Sequence, residues 1–481
     1  MDAEPGLELG FRSLSEEVAD HRLPLRGDLP DWLDGTLVRN GPARFQVGDD
    51  RVEHWFDGLA MLQRFDFDGS SVRYTNRFLR SETYERAMAT GTLRGQFATG
   101  GSYLRRLWAL LTGRQTDNCN VHVATLDGDL VALTEVPRFL GVEPTTLATR
   151  GEFTFADDLD GDLSLAHLVP DPHRGETIGM LTEIGRRSTY RVYRLPDGSR
   201  QRETLATVTA AKPAYVHSVA VAADHVVLTE HPYRLDPRSV LLPGGGGFVD
   251  HLDWEPERGT RFHVIARDGS GVVATHEAPP NFVFHHVNAF EADAPAEAAH
   301  EREVVVEMVD YPDASVVEGL RLDAMGDWLR DGVDGRLQRF RLPLDGSGSA
   351  PAGAPVEGRT IASGLELPRI APGARTREHR FVFAQGSATA EGNHVVTVDA
   401  ATGETTTWAE EGLFVEEPIP VLAPDAPATS DRGVVLVTAL NVPEERSDLL
   451  VLDAETLSLR ARARLPHHLP FGFHGRYVRE W

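Results

Sequence analysis

Four histidines in short, dissimilar contexts are the residues of this chain most suited to binding a metal ion. They occur in SLAHLVPDP, AYVHSVAVA, FVFHHVNAF and PFGFHGRYV, and the histidines concerned are His167, His217, His285 and His474. Imidazole is a common ligand of transition metals. The chain contains no HExxH or CxxC motif, and Cys119 is its one cysteine, so a local zinc motif, a thiolate site and a disulfide framework are not expected.

The spacing of these histidines predicts how the fold brings them together. They lie 50, 68 and 189 residues apart, and the last gap is roughly three times the mean of the first two. A four-stranded propeller blade takes about 40–50 residues, and every innermost strand faces one axis. Histidines on four inner strands would therefore meet at that axis. Any one of the 19 histidines of the chain taken alone is more often a packed core residue, so the set carries the inference.

Composition indicates one large all-β domain spanning residues 1–481. There are 45 glycines and 30 prolines, together with β-branched runs such as VVLTE and GVVLVTAL, which is typical of short strands joined by frequent turns. Asp-Gly pairs at 57–58, 68–69, 127–128, 197–198 and 268–269 predict tight hairpins. The Ala/Pro/Gly-rich stretches 292–299 and 346–354 are flanked by strand-like segments, so we expect them to be surface loops and not domain linkers.

The charge balance limits the classes of partner. The formal net charge is −25, and Lys212 is the only lysine. Such a surface repels nucleic acid and anionic lipid, and its composition is typical of salt-adapted proteins, so we expect a halophilic source. The start MDAEPGLELGFRSLSEE has no signal-peptide pattern, and no apolar run reaches 18 residues. We therefore expect a cytoplasmic protein. Oligomeric state is not predicted.

Helix-like insertions near 81–114, 239–253 and 315–331 interrupt the strand pattern, and on one rim of a propeller they would form a cap over the metal. The first of them places Leu104, Leu107, Trp108 and Leu111 on one helical face. This stripe either packs onto the β body or contacts a membrane surface. The sequence leaves both alternatives open.

Motifs over most of the chain resemble those of the carotenoid cleavage oxygenases. The similarity runs from about Leu29 to the C-terminus and includes LDGTLVRNGPARF, HWFDGLAMLQRFDF, ALTEVP, LELPRI, EEPIPVLAPDA and the four histidine motifs. Within that family, the motifs of this chain look closest to those of the branch containing the animal β-carotene oxygenases and the retinoid isomerohydrolase. The resemblance implies an all-β, seven-bladed β-propeller with a helical and loop cap over the metal-bearing face.

The resemblance also implies roles for individual residues. An iron(II) ion would be bound by His167, His217, His285 and His474, with His286 packed in the blade because neighbours on a strand face opposite ways. Three carboxylates would each accept a hydrogen bond from a ligand histidine: Glu135 from His217, Glu366 from His285 and Glu417 from His474. We expect Glu416 to be a solvated carboxylate at a strand end.

The resemblance places Val121 beside the metal, where its side chain would screen one coordination position. His122 stands where the family commonly has asparagine, and we expect it to face outward on its strand, with a polar position at the mouth of the site as the alternative. Phe56 and Phe284 are candidates for the wall of a substrate tunnel, with core packing as the equally open alternative. Imidazole ligands alone would suit zinc, copper, nickel or iron, so iron follows from the resemblance only.

The implied reaction is the cleavage of one C=C bond of a carotenoid or apocarotenoid by dioxygen, giving two carbonyl products. Cleavage of β-carotene at its central bond to give retinal is one such reaction. A stilbene-cleaving dioxygenase and an isomerohydrolase that consumes no dioxygen are the alternatives. A stilbene-cleaving member would carry a lysine that engages the phenol, and Lys212 lies outside the expected segment. A non-enzymatic propeller scaffold would leave the histidines and glutamates without a purpose.

Overall fold

The computed structural model describes residues 6–93, 97–98, 116–239, 247–296, 298, 300–326, 335–344, 354–389 and 392–480. Seven antiparallel sheets of at least four strands are present in these ranges. They are numbered here as blades I to VII in the order in which the chain forms their innermost strands. The prediction of a seven-bladed β-propeller is confirmed.

The first four blades follow one another along the chain, and each begins with its innermost strand. Blade I contains His122–Leu126, Asp129–Leu133, Leu140–Val142 and Thr149–Glu152. Blade II contains the paired inner segments Leu163–Ser164 and Val169–Asp171, then Glu176–Glu183, Ser188–Pro196 and Glu203–Ala210. Blade III contains Ala220–Val221, His225–Glu230, Thr260–Ala266, Gly271–Ala278 and the edge segment Ala354–Pro355. Blade IV contains Phe282–Asp293, Arg302–Tyr311, Arg336–Leu344 and Arg359–Ser363.

The last three blades close the ring. Blade V contains Leu365–Arg369, Phe381–Gly386, Val395–Asp399 and Thr405–Trp408. Blade VI contains the inner segments Leu413–Val415 and Ile419–Leu422, then Gly433–Asn441, Arg446–Asp453, Leu459–Arg464 and the N-terminal strand Leu25–Gly27. Blade VII takes its inner strand Gly475–Val478 from the C-terminus and the strands Asp34–Arg44, Leu59–Asp68, Val72–Phe78 and Val18–Arg22 from the N-terminus. Pairing of the first and last parts of the chain within this blade closes the ring.

Burial along each blade explains its sequence pattern. The middle strand Gly433–Asn441 is buried at every position, because a neighbouring blade covers each of its faces. The outer strand Thr405–Trp408 has the composition TTTW and is largely exposed. Apolar side chains from adjacent blades form common clusters, as where Phe65 and Tyr74 of blade VII meet Leu436 of blade VI. Each such side chain removed from water contributes roughly 1.5–3 kcal/mol.

The hairpin predictions hold in the blades and fail at one Asp-Gly pair. Asp127 and Gly128 both have positive φ, 50° and 77°, as a tight turn between the first two strands of blade I requires. Asp57, in contrast, ends the 3₁₀ helix Trp55–Asp57. Its carboxylate accepts hydrogen bonds from the backbone N–H groups of Phe97 and Ala98, both at 2.9 Å. The prediction of a hairpin there is wrong, because this Asp fixes a loop of the cap.

Short helices lie over one end of the propeller. They are α1 (Glu82–Thr90), α2 (Ser315–Gly319) and the 3₁₀ helices Leu7–Phe11, Trp55–Asp57 and Val249–His251. Two further 3₁₀ turns are Pro256–Arg258 and Pro372–Ala374. Two small ladders pair Gln46–Val47 with Asp50–Arg51 and Tyr233–Leu235 with Leu252–Trp254. The stripe Leu104, Leu107, Trp108 and Leu111 lies outside the described residues. None of the helices described is long and apolar enough to cross a membrane.

Blades II and III are joined by a buried arginine. The Arg267 guanidinium lies 2.8 Å from an oxygen of Asp171 and 2.6 Å from one of Glu176, and it donates a 2.6 Å hydrogen bond to the Ala222 carbonyl. The Arg267 side chain has no exposed surface. Removing it would leave Asp171 in the interior without its counter-charge and Glu176 with only the more distant Arg194, 3.9 Å away.

We predict that Arg267→Leu lowers the free energy of unfolding by about 3–5 kcal/mol, the usual cost of breaking a buried ion pair from one side. Arg174→Leu is the matched control, because Arg174 binds Asp224 at the surface and such pairs contribute about 0–1 kcal/mol. Denaturant unfolding followed by circular dichroism measures both. Equal losses in the two variants would contradict the assigned role of Arg267.

Candidate metal centre

The four histidines singled out in the sequence meet at the propeller axis. His167 lies between the two inner segments of blade II, and His217 lies three residues before the inner strand of blade III. His285 lies within the inner strand of blade IV, and His474 directly precedes that of blade VII. One ring nitrogen of each lies within 4.8 Å of one from every other. Inner strands of a propeller converge on its axis, and this convergence gathers residues up to 307 positions apart in the chain.

The rings are arranged around a common point. The His167 ring centroid lies 4.5 Å from that of His217, 5.0 Å from that of His285 and 4.2 Å from that of His474. His285 lies 5.1 Å from His217 and 5.0 Å from His474 by the same measure. Most of these ring pairs are steeply inclined to each other, with angles of 51–85°. Such an arrangement is typical of ligands around one ion and not of stacked aromatic rings.

Each of three histidines has its Nδ1 against a carboxylate. The distances are 2.5 Å from His217 to Glu135, 2.7 Å from His285 to Glu366 and 2.7 Å from His474 to Glu417. When Nδ1–H donates to the carboxylate, Nε2 of the neutral ring carries the lone pair. The three glutamates therefore set the tautomer and the orientation of three rings, as partners of metal-bound histidines do.

The short distance between two Nε2 atoms indicates that a cation belongs between them. Nε2 of His285 lies 3.3 Å from Nε2 of His474, and both rings already direct Nδ1 at a glutamate. Two lone pairs facing each other at this distance repel unless a positive charge lies between them. Nε2 of His167 is also buried and has no hydrogen-bond partner. The donor set therefore fits a transition metal, which imidazole lone pairs bind.

Burial keeps the ring of His474 neutral at ordinary pH. Desolvation lowers the pKa of His474 to about 3, although the Glu417 carboxylate acts in the opposite direction. Burial alone would raise the pKa of Glu417, but the charge of Arg369, followed by the interaction with His474, holds it well below its usual range. Arg369 donates to Glu417 at 2.7 Å. A neutral imidazole beside an ionised carboxylate is the state in which the ring binds a metal.

Glu135 has a second partner that sequence reasoning missed. The Tyr215 hydroxyl lies 2.7 and 2.8 Å from the two oxygens of Glu135. Burial and the nearby Glu135 charge raise the pKa of Tyr215 well above its usual value, so the phenol remains a donor. The AYVHSV motif gives a visible signal for it, since Tyr215 precedes His217 by two residues and shares its side of an extended chain.

The backbone beside Glu366 is strained. Leu367 has φ of 52°, a left-handed conformation that costs a bulky residue about 1–2 kcal/mol. Its N–H donates a hydrogen bond to the Glu366 carboxylate, and the same oxygen receives His285 Nδ1. Strain of this kind persists where other contacts hold the chain in place, and it is concentrated at functional sites.

The two adjacent histidines of FHH have different surroundings. The ladder of the inner strand in blade IV is irregular between Val283 and Asn288, as at a β-bulge. His285 faces the other three histidines, whereas His286 contacts the hydroxyls of Ser218 at 2.8 Å and Thr229 at 2.7 Å. Burial, followed by the nearby His285 and His217, lowers the pKa of His286 to about 3.

Two expectations about neighbouring residues are wrong. His122 does not face outward: it is buried, and its ring lies 5.4 Å from that of His167 and 5.3 Å from that of His474. Glu416 is not solvated either: it is buried and accepts hydrogen bonds from Thr438 and from the backbone of Gly472. His122 was expected to face outward on its strand and Glu416 to be solvated at a strand end, but in a closed ring of blades both positions are covered by neighbouring parts of the fold.

An apolar cavity opens beside the histidines under the cap. Its volume is about 570 Å³. The three residues predicted for the wall, Val121, Phe56 and Phe284, line it together with His217, His285 and His474. Aromatic residues that were not predicted, although they stand in the same motifs, complete the wall: Trp55, Phe471 and Phe473. Among the described lining residues there is no lysine or arginine.

Comparison with known proteins agrees with this geometry. The family described as retinal pigment epithelial membrane protein, RPE65, matches residues 11–479. Carotenoid cleavage dioxygenase 8 homolog A of Oryza sativa subsp. japonica is 33% identical over 97% of this chain and 86% of its own. Human beta,beta-carotene 15,15′-dioxygenase is 26% identical over 97% of this chain and 94% of its own.

Solved structures show the same fold. A chimera of the apocarotenoid oxygenase and RPE65 has a TM-score of 0.84 at 24% identity, over 99% of this chain and 98% of the other. The cobalt-substituted Synechocystis oxygenase has a TM-score of 0.83 at 24% identity, over 98% of each chain. The family match covers nearly the whole propeller, cap and histidine cluster. The chain therefore belongs to the RPE65 family of carotenoid cleavage oxygenases.

Proposed function

We propose that this protein is a non-haem iron(II) dioxygenase that cleaves one C=C bond of a carotenoid or apocarotenoid and releases two carbonyl products. The observation that carries the proposal is the contact between a four-imidazole cluster and an apolar cavity. A buried transition-metal site beside a mainly apolar cavity suits redox chemistry on a substrate without polar groups. Relatives 26–33% identical are named as dioxygenases that act on carotenoids.

We propose that His167, His217, His285 and His474 hold the ion. Iron(II) bound there would supply the activation of dioxygen, which protein side chains alone do not provide. Glu135, Glu366 and Glu417 would fix the rings and offset the charge of an ion held by neutral ligands. The choice of iron rests on family membership, because the imidazole set alone would also accept zinc, copper or nickel.

The cavity walls would bind and orient the polyene. The ring centroid of Phe284 lies 5.3 Å from that of His217, with the two rings edge to face, and the ring centroid of Phe56 lies 5.7 Å from that of Phe473. Aromatic and aliphatic surfaces bind a conjugated chain without polar contacts, so cavity shape would select the bond that is cleaved. Val121 would limit access to one side of the ion. Exclusion of water from this cavity also protects reactive intermediates.

The charge of the cavity wall bears on the substrate class. The described wall contains no cation, and two of its carboxylates, Glu135 and Glu366, are occupied by histidines. An anionic substrate would find no counter-charge there, whereas a neutral polyene or aldehyde would lose little on transfer from lipid. We therefore propose β-carotene or an apocarotenal as substrate, with central cleavage to retinal as the first reaction to test.

The structure weakens the stilbene alternative. Lys212, the only lysine, lies 2.5 Å from Glu255 and 3.8 Å from Asp236. It does not line the cavity beside the histidines, so it is not placed to engage a phenol. An isomerohydrolase would use the same site without consuming dioxygen, and oxygen uptake separates it from the dioxygenase.

The function is tested by the products. Iron-loaded protein is incubated in air with β-carotene, an apocarotenal, a retinoid and a stilbene, while oxygen uptake is recorded and products are identified by mass. We expect aldehydes from at least one polyene and one O₂ consumed per bond cleaved. Cleavage of the stilbene alone, or conversion of a retinoid without oxygen uptake, would overturn the proposal and identify the alternative.

Adjacent histidines provide a matched test of the ligand set. We predict that His285→Ala abolishes stoichiometric iron binding and activity, because it removes one of four ligands at the axis. His286→Ala should retain iron, since His286 contacts Ser218 and Thr229. Metal content by mass spectrometry, with circular dichroism as a check on folding, measures both. Iron retention in the first variant and loss in the second would reverse the assignment.

The role of the carboxylates is tested at Glu366, which binds His285 and pairs with no arginine among the described residues. We predict that Glu366→Gln lowers iron affinity or turnover by about 10- to 100-fold, because an amide can still accept the Nδ1–H bond but carries no charge. Glu357→Gln, at an exposed position, is the control. Kinetics unchanged from the native protein would remove the proposed role of the charge.

A further inference from the structure

A second cavity lies along the axis on the opposite side of the histidines from the aromatic cavity. Residues that precede the histidines in their strands, such as Tyr215 and Phe284, line the aromatic cavity. Residues that follow the same histidines, such as Ser218, His286 and Arg476, line the second. The four strands thus run in one direction past the metal centre. The second cavity, here called the axial channel, has a volume of about 610 Å³.

The axial channel extends from the metal centre to solvent. His122, His167, His285 and His474 lie at its inner end, and the exposed residues Pro372, Gly373 and Arg479 lie at the other. A small hydrophilic solute can therefore enter the axis from the face opposite the cap.

The charge of the axial channel is opposite to that of the whole protein. The chain carries a net charge of −25, yet the lining of the channel includes four arginines: Arg369, Arg375, Arg476 and Arg479. Glu417 is the only carboxylate among its described lining residues. Its oxygens already receive His474, Arg369 and the N–H of Gly475. The channel therefore has a local excess of positive charge that no side chain in its wall balances.

Two of the four guanidinium groups have no partner among the residues that the structure describes. Arg369 donates to Glu417 and to the Gly475 carbonyl, and Arg479 donates to the Leu422 carbonyl. Arg375 and Arg476 form no hydrogen bond or ion pair from their side chains with any residue that the structure describes, although both are partly buried. Fully buried arginines elsewhere in this protein do have such partners: Arg267 binds Asp171 and Glu176.

Unpaired charge in this setting is costly. Burial, followed by the like charges of Arg476 and Arg369, lowers the pKa of Arg375 to about 9. Arginines taken from water are normally paired with carboxylates or phosphates, because a guanidinium presents several N–H donors that need acceptors. An anion in the channel would satisfy both groups and reduce their mutual repulsion.

We propose that the axial channel binds a small oxyanion between the Arg375 and Arg476 side chains. Guanidinium groups bind phosphate, sulfate and carboxylates through paired N–H donors, so these anions share the required chemistry. The site is distinct from the carotenoid cavity, whose described wall has no cation. The proposal does not depend on the cleavage reaction, and failure of either leaves the other standing.

Binding is measured by calorimetry on the metal-loaded full-length protein. Sodium phosphate and sodium succinate are titrated separately, each against a sodium chloride solution of equal ionic strength, which distinguishes a phosphate-type anion from a carboxylate and both from general screening. We expect saturable one-site binding of at least one oxyanion. Absence of saturable binding for both would overturn the proposal.

Two variants locate the site. Arg375→Gln and Arg476→Gln should each weaken oxyanion binding by about 10-fold or more, the effect of losing charge-assisted hydrogen bonds, whereas Arg187→Gln, at an exposed position in a loop of blade II, should not. Thermal unfolding gives an independent readout. Without oxyanion each channel variant should unfold at a higher temperature than the native protein, because the repulsion between the two partly buried guanidinium groups has been removed. Native affinity in both channel variants would show that the anion binds elsewhere.

Discussion

The mutual orientation of imidazole lone pairs is the constraint on which this structure depends. A neutral ring whose Nδ1 is directed at a carboxylate presents the lone pair of Nε2 to the axis. The Nε2 atoms of His285 and His474 lie 3.3 Å apart there. Only a cation makes that approach favourable. Seven blades supply the parts: I, V and VI provide Glu135, Glu366 and Glu417, and II, III, IV and VII provide the histidines. Every blade must therefore be in register for the site to form.

Ring closure and metal binding are consequently linked. His474 directly precedes the C-terminal strand that pairs with Asp34–Arg44, so the last ligand arrives only when the two ends of the chain meet in blade VII. Arg39 of that N-terminal strand donates to the Glu417 carbonyl at 3.0 Å, and this contact ties the closing blade to the backbone of the residue whose carboxylate binds His474. Metal binding to the closed form would stabilise closure in turn.

The metal centre divides the propeller axis into two environments. The cap side is aromatic and its described wall has no cation, and the opposite side is rich in arginine. This asymmetry arises because the inner strands run in the same direction, so that residues before and after each histidine fall on opposite sides. A lipophilic substrate and a hydrophilic anion can thereby approach the axis without sharing a route.

The sequence was informative where chemistry is local and uninformative where it depends on distant packing. Spacing of the histidines predicted an axis, and motif resemblance added Glu135, Glu366 and Glu417, which the structure brings against His217, His285 and His474. His122 and Glu416 were expected at the surface but are buried. Their burial depends on neighbouring blades, which the local sequence does not reveal. Arg375 lies in none of the motifs, and nothing in the PFGFHGRYV motif assigns a role to Arg476, so their presence in one channel was not visible before the fold was known.

Anomalous X-ray diffraction at the iron edge, from crystals of the iron-loaded protein, tests the central claim most directly. The account predicts one strong peak on the propeller axis within bonding distance of Nε2 of His167, His217, His285 and His474. A peak bound to other residues, or no peak in protein that retains cleavage activity, would contradict it.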